Sequence, residues 1–317
     1  MSMGEDYDYD INEDERKSMR NSQNKEPATS KRRVPRKNPG WKLPTKARVP
    51  VIDPWRYAYL LTGEKKIGKT SWAIAGCKEY VIQLDKPQLS YEIVEDCPTT
   101  WKELVQILRA LEESAADGTF PYQRVIVDGI GEAYVMCQDY TVKEFGVAHP
   151  SEVGYAKAWH FLRDNFLDWM NRLLRLQQTA KCGVVFIAHA EWREVTAHGG
   201  GKIDKLVPNL AGKCEEIVNG KVDAWFMYDY IGSDRVMFLR GNEEIGAGHR
   251  IDGRFLTPEG ERISELYMGN SAKEGLDNFL LAFKNQWPYA TYNAWKDANT
   301  EKPKKTVRRS ARRSAKK

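Results

Sequence analysis

One stretch of this sequence carries most of its chemistry. Gly63, Gly68, Lys69 and Thr70 complete the spacing G-x-x-x-x-G-K-T within YAYLLTGEKKIGKTSWAIA. Glycines at those places let the backbone turn and approach phosphate oxygens closely. The N–H groups of Glu64, Lys65, Lys66, Ile67, Gly68 and Lys69 are expected to point into the loop. A helix starting near Lys69, with Ser71 in its first turn, would add the positive end of its dipole. Lys69 would reach the β- and γ-phosphates and the Thr70 hydroxyl would hold Mg²⁺, which makes ATP the expected ligand. A turn that merely contains Gly-Lys-Thr is the alternative. The apolar run before it (57–61) and the helical spacing after it (71–80) favour the cradle, because strand, loop and helix are the context the motif requires.

Further residues must be delivered to the same place by strands. RVIVD (124–128) is a β-branched run ending in an acid, the pattern of a buried parallel strand that carries a carboxylate to a sheet edge. Asp128 is therefore expected to hold the metal opposite Thr70. GVVFIA (183–188) is another buried strand, and His189 at its tip is a candidate to touch the γ-phosphate or the attacking water. YVIQL (80–84) leads into Asp85, Lys86 and Pro87, with a possible short strand at 90–94. Thr100 and Glu103 form a capping box for a helix whose apolar face is Trp101, Leu104, Val105, Leu108 and Leu111. Trp159, Leu162, Phe166, Trp169, Leu173 and Leu176 recur at helical steps, so 155–177 reads as a long amphipathic helix with its aromatics in the core. Residues 192–210, containing HGGGKIDK, read as a glycine- and lysine-rich loop leaving the His189 strand. Residues 223–230 and 235–239 read as a strand pair, followed by Arg240, His249, Arg250 and Arg254. A last amphipathic helix follows Ser271.

Composition bounds the rest. With 317 residues, 41% of them hydrophobic, the chain can bury one sizeable core. No apolar run reaches the ~18 residues of a membrane span, and the acidic N-terminus is unlike a signal peptide, so an intracellular protein is expected. The five cysteines are scattered without a C-x-x-C pair, which argues against a disulfide framework or a zinc site. Residues 1–50 hold 12 basic and 8 acidic residues and 301–317 hold nine and one; with +5 overall, 51–300 carries a net −7. A polyanion would thus be drawn to the tails and to local loops rather than to the central domain as a whole. The expected organisation is a disordered arm at 1–50, a nucleotide-binding domain at 51–268, a helical appendage at 269–300 and a basic disordered tail at 301–317.

Taken together, GEKKIGKT, RVIVD, FIAHAE, PNLAGKCEEI, KVDAWF and GHRIDGRF, in this order across about 55–265, give a chain that resembles the phage RecA-like nucleotide-binding proteins, the family that includes single-strand-annealing ATPases. The resemblance implies an α/β P-loop NTPase fold with a mostly parallel sheet flanked by helices. It also implies ATP and Mg²⁺ as cofactors, self-assembly into homo-oligomers on single-stranded DNA, single-strand-binding or recombination proteins as partners, and the cytoplasm of a bacterial host. It places Gly63, Gly68, Lys69 and Thr70 on nucleotide and metal, Asp128 on the metal and His189 at the sensor position. One departure stands out: such proteins carry a glutamate two residues after the aspartate that ends the second strand, and here that position is Pro87. Asp85, then Glu132, with Glu191 as a further candidate, would have to orient the water, or the chain would be a nucleotide-gated binding module with little turnover. A small-molecule kinase is disfavoured, since no arginine-rich lid lies between the sheet strands. Arg240, Arg250 and Arg254 are candidates for an arginine supplied to a neighbouring subunit. Trp192, Lys202, Lys205 and the C-terminal tail are candidates for DNA contact.

Overall fold

The computed structural model describes residues 43–76, 78–87, 89–196 and 199–300. The disordered arm expected at 1–50, as far as residue 42, and the tail expected at 301–317 lie outside them. The chain divides into two units, Met1–Val49 and Pro50–Lys317. In the first, residues 43–49 are exposed and form neither helix nor strand.

The second unit builds, in chain order, β1 (Ala58–Gly63), α1 (Lys69–Ala73), β2 (Glu79–Gln83), β3 (Val94–Asp96), α2 (Trp101–Ala116), β4 (Arg124–Asp128), α3 (Ile130–Phe145), α4 (Lys157–Thr179), β5 (Gly183–Ile187), β6 (Ala190–Thr196), β7 (Lys202–Pro208), α5 (Lys213–Lys221), β8 (Ala224–Ile231), β9 (Asp234–Phe238), β10 (Gly248–His249), β11 (Glu265–Tyr267), α6 (Ala272–Phe283) and α7 (Tyr289–Thr300). The main sheet runs β11-β9-β8-β1-β5-β4-β2-β3, with β10 added against β8. From β3 across to β8 every pairing is parallel. The strands β9, β10 and β11 are antiparallel to their neighbours. A mostly parallel sheet with helices on both faces is the fold class the sequence implied, and it forms because βαβ crossovers leave every central strand covered on both sides.

The two faces follow from the period of two along each strand. In β1, Ala58 and Leu60 face a core with Leu104, Leu108, Phe166, Trp169 and Leu173 from α2 and α4. Tyr59 and Leu61 face the other way, onto Trp72 of α1 and Leu276, Phe279 and Phe283 of α6. Helix α2 starts as its sequence dictates: Thr100 accepts from the Glu103 N–H while the Glu103 carboxylate accepts from the Thr100 N–H.

Three expectations are corrected. The helix read over 71–80 is only α1, ending at Ala73, because the chain must turn back at once to enter β2. Gly76 lies in that turn, where an added Cβ would sit 2.4 Å from the Glu79 carboxylate and against the Arg124 guanidinium. The loop read over 192–210 is largely the hairpin β6–β7, paired from Ala190↔Pro208 to Thr196↔Lys202. The short strand read at 90–94 begins at Val94.

Helix α6 is part of the domain core. Phe279 is fully buried and its ring meets those of Trp55, Tyr59, Trp72, Phe226 and Phe255 within 6.3 Å. Phe279→Ala should therefore cost about 3–5 kcal/mol of unfolding free energy, read from the urea midpoint. A loss below about 1 kcal/mol would show α6 to be dispensable to the fold.

Candidate nucleotide-binding site

The carboxyl ends of β2, β4, β5 and β1 lie side by side at one sheet edge and release Asp85, Asp128, His189 and the loop 63–68 respectively. Hydrogen bonds beyond the strands fix these tips to one another. The Leu84 N–H donates to the Asp128 carbonyl (2.9 Å), Gly129 N–H to Ile187 (3.1 Å) and Ala188 N–H to Leu61 (3.0 Å). Strand β5 lies between β1 and β4, so Thr70 reaches Asp128 only because α1 folds back over the strand tips.

The glycines of the loop act differently. A Cβ on Gly63 would sit 2.2 Å from the Tyr228 carbonyl oxygen, so glycine is what allows the cradle to press against β8. Gly68 has open space around it but stands at φ +103°, a conformation that only glycine adopts readily. Lys65 and Lys66 are exposed, and Ile67 is buried under the loop.

Lys69 is only 5% exposed. Its Nζ donates to the carbonyls of Gly63 (2.9 Å) and Glu64 (2.7 Å) and lies 3.5 Å from His189 Nδ1. Burial lowers its pKa to about 8, against the opposing pull of Asp128, Asp85 and Glu64. Thr70 Oγ1 donates to Asp128 Oδ2 at 2.6 Å. Burial raises the Asp128 pKa, while the Thr70 bond, Lys69 and Gln83 hold it down. His189 is pushed towards the neutral imidazole by burial and by Lys69 and Lys65, with Asp85 opposing. An ammonium only donates, so His189 Nδ1 accepts from it and Nε2 carries the proton, facing Asp85 Oδ2 at 3.6 Å. Lys69, His189 and Asp85 thus form a chain from buried cation through neutral ring to half-exposed carboxylate.

The donor set suits nucleotide and metal. A buried ammonium and the N–H groups at a helix start match phosphate oxygens. The Thr70 hydroxyl and the Asp128 carboxylate are hard oxygen ligands of the kind Mg²⁺ takes alongside phosphates. Mg-ATP, when bound, supplies the phosphoanhydride and the cation that neutralises it.

The other candidates are placed as follows. Glu132 is exposed in the first turn of α3, and its Cγ would lie 3.6 Å from a Cβ on Gly129, which in turn would lie 3.4 Å from the Asp85 backbone nitrogen. Glu191 is held by Arg193 (2.7 Å), which also binds Glu215 (2.6 Å), so it stands outside the cradle group. Ser71 Oγ is 2.6 Å from the Tyr91 hydroxyl. Arg250 binds Asp223, whose other oxygen accepts from the Ala58 N–H, and so lies at the start of β1, the opposite edge from the cradle. Arg254 lies over the Phe283 ring, which packs on Tyr57 just before β1. Arg240 follows β9, which runs away from the cradle because it is antiparallel to β8. Two residues at the cradle edge were missed: Tyr91, and Arg235, whose guanidinium meets the Tyr230 hydroxyl at 3.3 Å. No local motif marks either one.

A family model described as an AAA domain matches residues 56–251, well over half of the chain. The chain belongs to the AAA domain family. The match takes in the cradle, Asp128 and His189, and the AAA domain assigns the chain at this level to the P-loop ATPases, which bind nucleotide. No curated protein matches the chain. Among the described residues, no helix of this AAA protein is long and apolar enough to cross a membrane.

A depressed lysine pKa makes stability depend on pH. With the folded pKa near 8 and the ordinary value of 10.5 when unfolded, the unfolded chain binds more protons between those values. The Lys69 contribution therefore disfavours folding fully below pH 8 and is relieved as pH rises towards 10.5. Between pH 7.5 and 9.5 the wild type should gain about 1–2 kcal/mol relative to Lys69→Met, measured by denaturant unfolding at each pH. Parallel pH profiles would contradict the buried ammonium.

Proposed function

We propose that the protein is an ATPase whose nucleotide cycle governs single-stranded DNA binding in phage recombination or replication, within the cytoplasm of a bacterial host and as a homo-oligomer. The observation that carries this reading is the connection from the cradle to hairpin β6–β7. His189 lies beside Lys69, its carbonyl accepts from the Asn209 N–H (2.7 Å), and the hairpin spans the chain between these two residues. A change at the terminal phosphate that moves His189 also moves both ends of the hairpin. Such a linkage gives nucleotide a differential hold on two hairpin positions, which is what control of a second ligand requires.

The residues then take these roles. Lys69 would exchange its two loop carbonyls for phosphate oxygens, and Thr70 and Asp128 would hold the metal, which when bound would neutralise phosphate charge. Asp85, the carboxylate nearest His189, orients the attacking water, and His189 passes the state of the terminal phosphate to the hairpin. Trp192, 54% exposed on β6, offers a stacking surface to a base. Lys202 is paired with Glu194 at 2.6 Å and so must change partner to meet a phosphate. Single-strand-binding or recombination proteins are the partners such an activity would serve. The resemblance of GEKKIGKT, FIAHAE, PNLAGKCEEI and GHRIDGRF to phage RecA-like proteins supports the DNA assignment. The second reading, a nucleotide-gated binding module with little turnover, is favoured by Pro87 at the glutamate position and by the 55% exposure of Asp85.

Turnover assays with and without single-stranded DNA separate the two. Asp85→Asn should cut kcat by about 10² with ATP affinity nearly unchanged, and Glu132→Gln should do less. Collapse only in the second variant transfers the role to Glu132, and no DNA-stimulated turnover in the wild type favours the binding module. In fluorescence anisotropy with Mg-ATP, Trp192→Ala should weaken oligonucleotide binding about tenfold. Wild-type affinity in that variant would remove the hairpin from the interface.

A further inference from the structure

At the far side of the sheet from the cradle, three basic side chains converge on a tight frame. Leu239 and Arg240 both direct their N–H groups at the Ser264 carbonyl (2.8 and 3.4 Å), which sets Arg240 beside the 262–264 segment. Arg262 is fixed there by its bridge to Leu256 and by the Ile263 N–H bond to the Phe255 carbonyl (2.9 Å). The turn 241–247 closes with the Gly241 N–H on the Ala247 carbonyl (2.9 Å) and returns the chain to His249, which packs on the Phe255 ring at 5.1 Å. The turn is close enough that a Cβ on Gly241 would meet the Ile245 and Ala247 carbonyls at 2.9 and 3.0 Å.

The Arg240–Arg262 pair differs from the arginines of the domain that are held by carboxylates. Arg124, Arg172, Arg193 and Arg250 each hold a carboxylate. Arg240 and Arg262 make no ion pair among the described residues, and the buried Nε of Arg240 has no acceptor among them. A buried guanidinium donor left unsatisfied costs about 1–3 kcal/mol. Burial and the neighbouring Arg262 both disfavour the Arg240 charge, and Arg240 and Arg262 in turn help keep His249 neutral, with a pKa near 4. An anion held between the Arg240 guanidinium and the exposed Arg262 would offset the mutual repulsion of two cations that lack a carboxylate among the described residues.

We propose that Arg240 and Arg262, set on the frame that His249 helps to pack, form a second oxyanion site, which takes a phosphodiester of single-stranded nucleic acid. Its nucleic-acid ligand rests on the DNA reading above. The frame also touches the hairpin: the Leu206 N–H donates to the Glu244 carbonyl (2.7 Å) and the Gly246 N–H to the Leu206 carbonyl (2.9 Å). A strand held by Trp192 and by this site would therefore rest on two parts of one connected surface.

The test uses the full-length protein with two probes, inorganic phosphate and a labelled oligothymidylate. Phosphate at matched ionic strength should raise the wild-type Tm by a few degrees over chloride, as mass action predicts near ten times Kd, and should do so less in Arg262→Gln and in the Arg240→Gln/Arg262→Gln pair. In anisotropy over a salt series without nucleotide, Arg262→Gln should lose affinity and flatten the log–log slope by about 0.7 per phosphate released. Lys202→Ala/Lys205→Ala should keep the phosphate response. Equal phosphate responses in wild type and variants overturn the site. A lost phosphate response with unchanged oligonucleotide slope overturns its nucleic-acid ligand. Absence of oligonucleotide binding by every form, with the phosphate response intact in the wild type, overturns both that ligand and the DNA reading but leaves the oxyanion site standing. Because the Arg262 side chain is exposed, its single variant keeps the test valid should the double variant unfold.

Discussion

A lysine ammonium held almost out of water is the constraint on which the cradle depends. Lys69 is solvated by two carbonyls of its own loop, and those carbonyls can face it only because Gly63 permits the loop to lie against Tyr228. Asp128, Asp85 and Glu64 pull its pKa upward and the charge of Lys65 opposes them, so the field around the buried cation is dominated by carboxylates. A polyphosphate brought to this edge meets one buried cation and at least two acids. The arrangement is electrostatically sensible only if a divalent cation arrives with the phosphates. The Thr70–Asp128 pair, already aligned at 2.6 Å, is where that cation's protein ligands would be drawn from.

The opposite edge of the sheet is built for rigidity. Asp223 joins the starts of β1 and β8: it accepts from the Ala58 N–H at 2.8 Å, its own N–H donates to the Ala58 carbonyl at 2.8 Å, and Arg250 grips its second oxygen. Arg124, 2% exposed, pairs with Glu79 and stacks on Trp55 at 4.0 Å, tying β4, β2 and the entry to β1 together. Breaking the buried Arg124–Glu79 pair by removing one partner would leave an uncompensated charge inside. Strand starts are thereby immobilised while strand ends carry the exchangeable groups. In the proposed cycle, Asp85, His189 and the loop 63–68 would change partners at the end of the sheet away from these ties.

Much of this was legible in the sequence where the signal was local. The β-branched runs of β4 and β5 and the Thr100/Glu103 box specify their elements by themselves, and GEKKIGKT identifies the loop by its own spacing. The hairpin was not legible. Glu191, Arg193 and Val195 form its half-buried face, and two of these are charged residues satisfied by Arg193 binding Glu191 and Glu215; hydrophobic alternation never appears. The glycines at 199–201 sit only in its turn, yet they coloured the reading of the whole segment as loop. Helix α1 was read too long because its apolar spacing continues past Ala73, whereas the crowding of Gly76 by Arg124 is a contact across the fold. Arg240 with Arg262, and Arg235 with Tyr230, are likewise pairings made by strand register, which no single stretch of sequence encodes.

The exposure of the catalytic candidates separates the cradle's two tasks. In the proposed ATPase, binding falls to Lys69, Thr70 and Asp128, which are buried or partly buried and already hydrogen-bonded within the cradle. Turnover requires a carboxylate that controls one water, and both Asp85 and Glu132 stand in solvent. A carboxylate in bulk water orients nothing in particular, because its hydration shell exchanges freely and its charge is screened. The isolated protomer is thus organised to hold nucleotide before it is organised to hydrolyse it. In the proposed ATPase the missing enclosure must come from a surface that closes over the Asp85–His189 side of the cradle. The parts of this chain placed to respond to such a closure are His189 and the hairpin that follows it. Hydrolysis and DNA binding would then be coupled through one event: the covering of a carboxylate that the fold by itself leaves open.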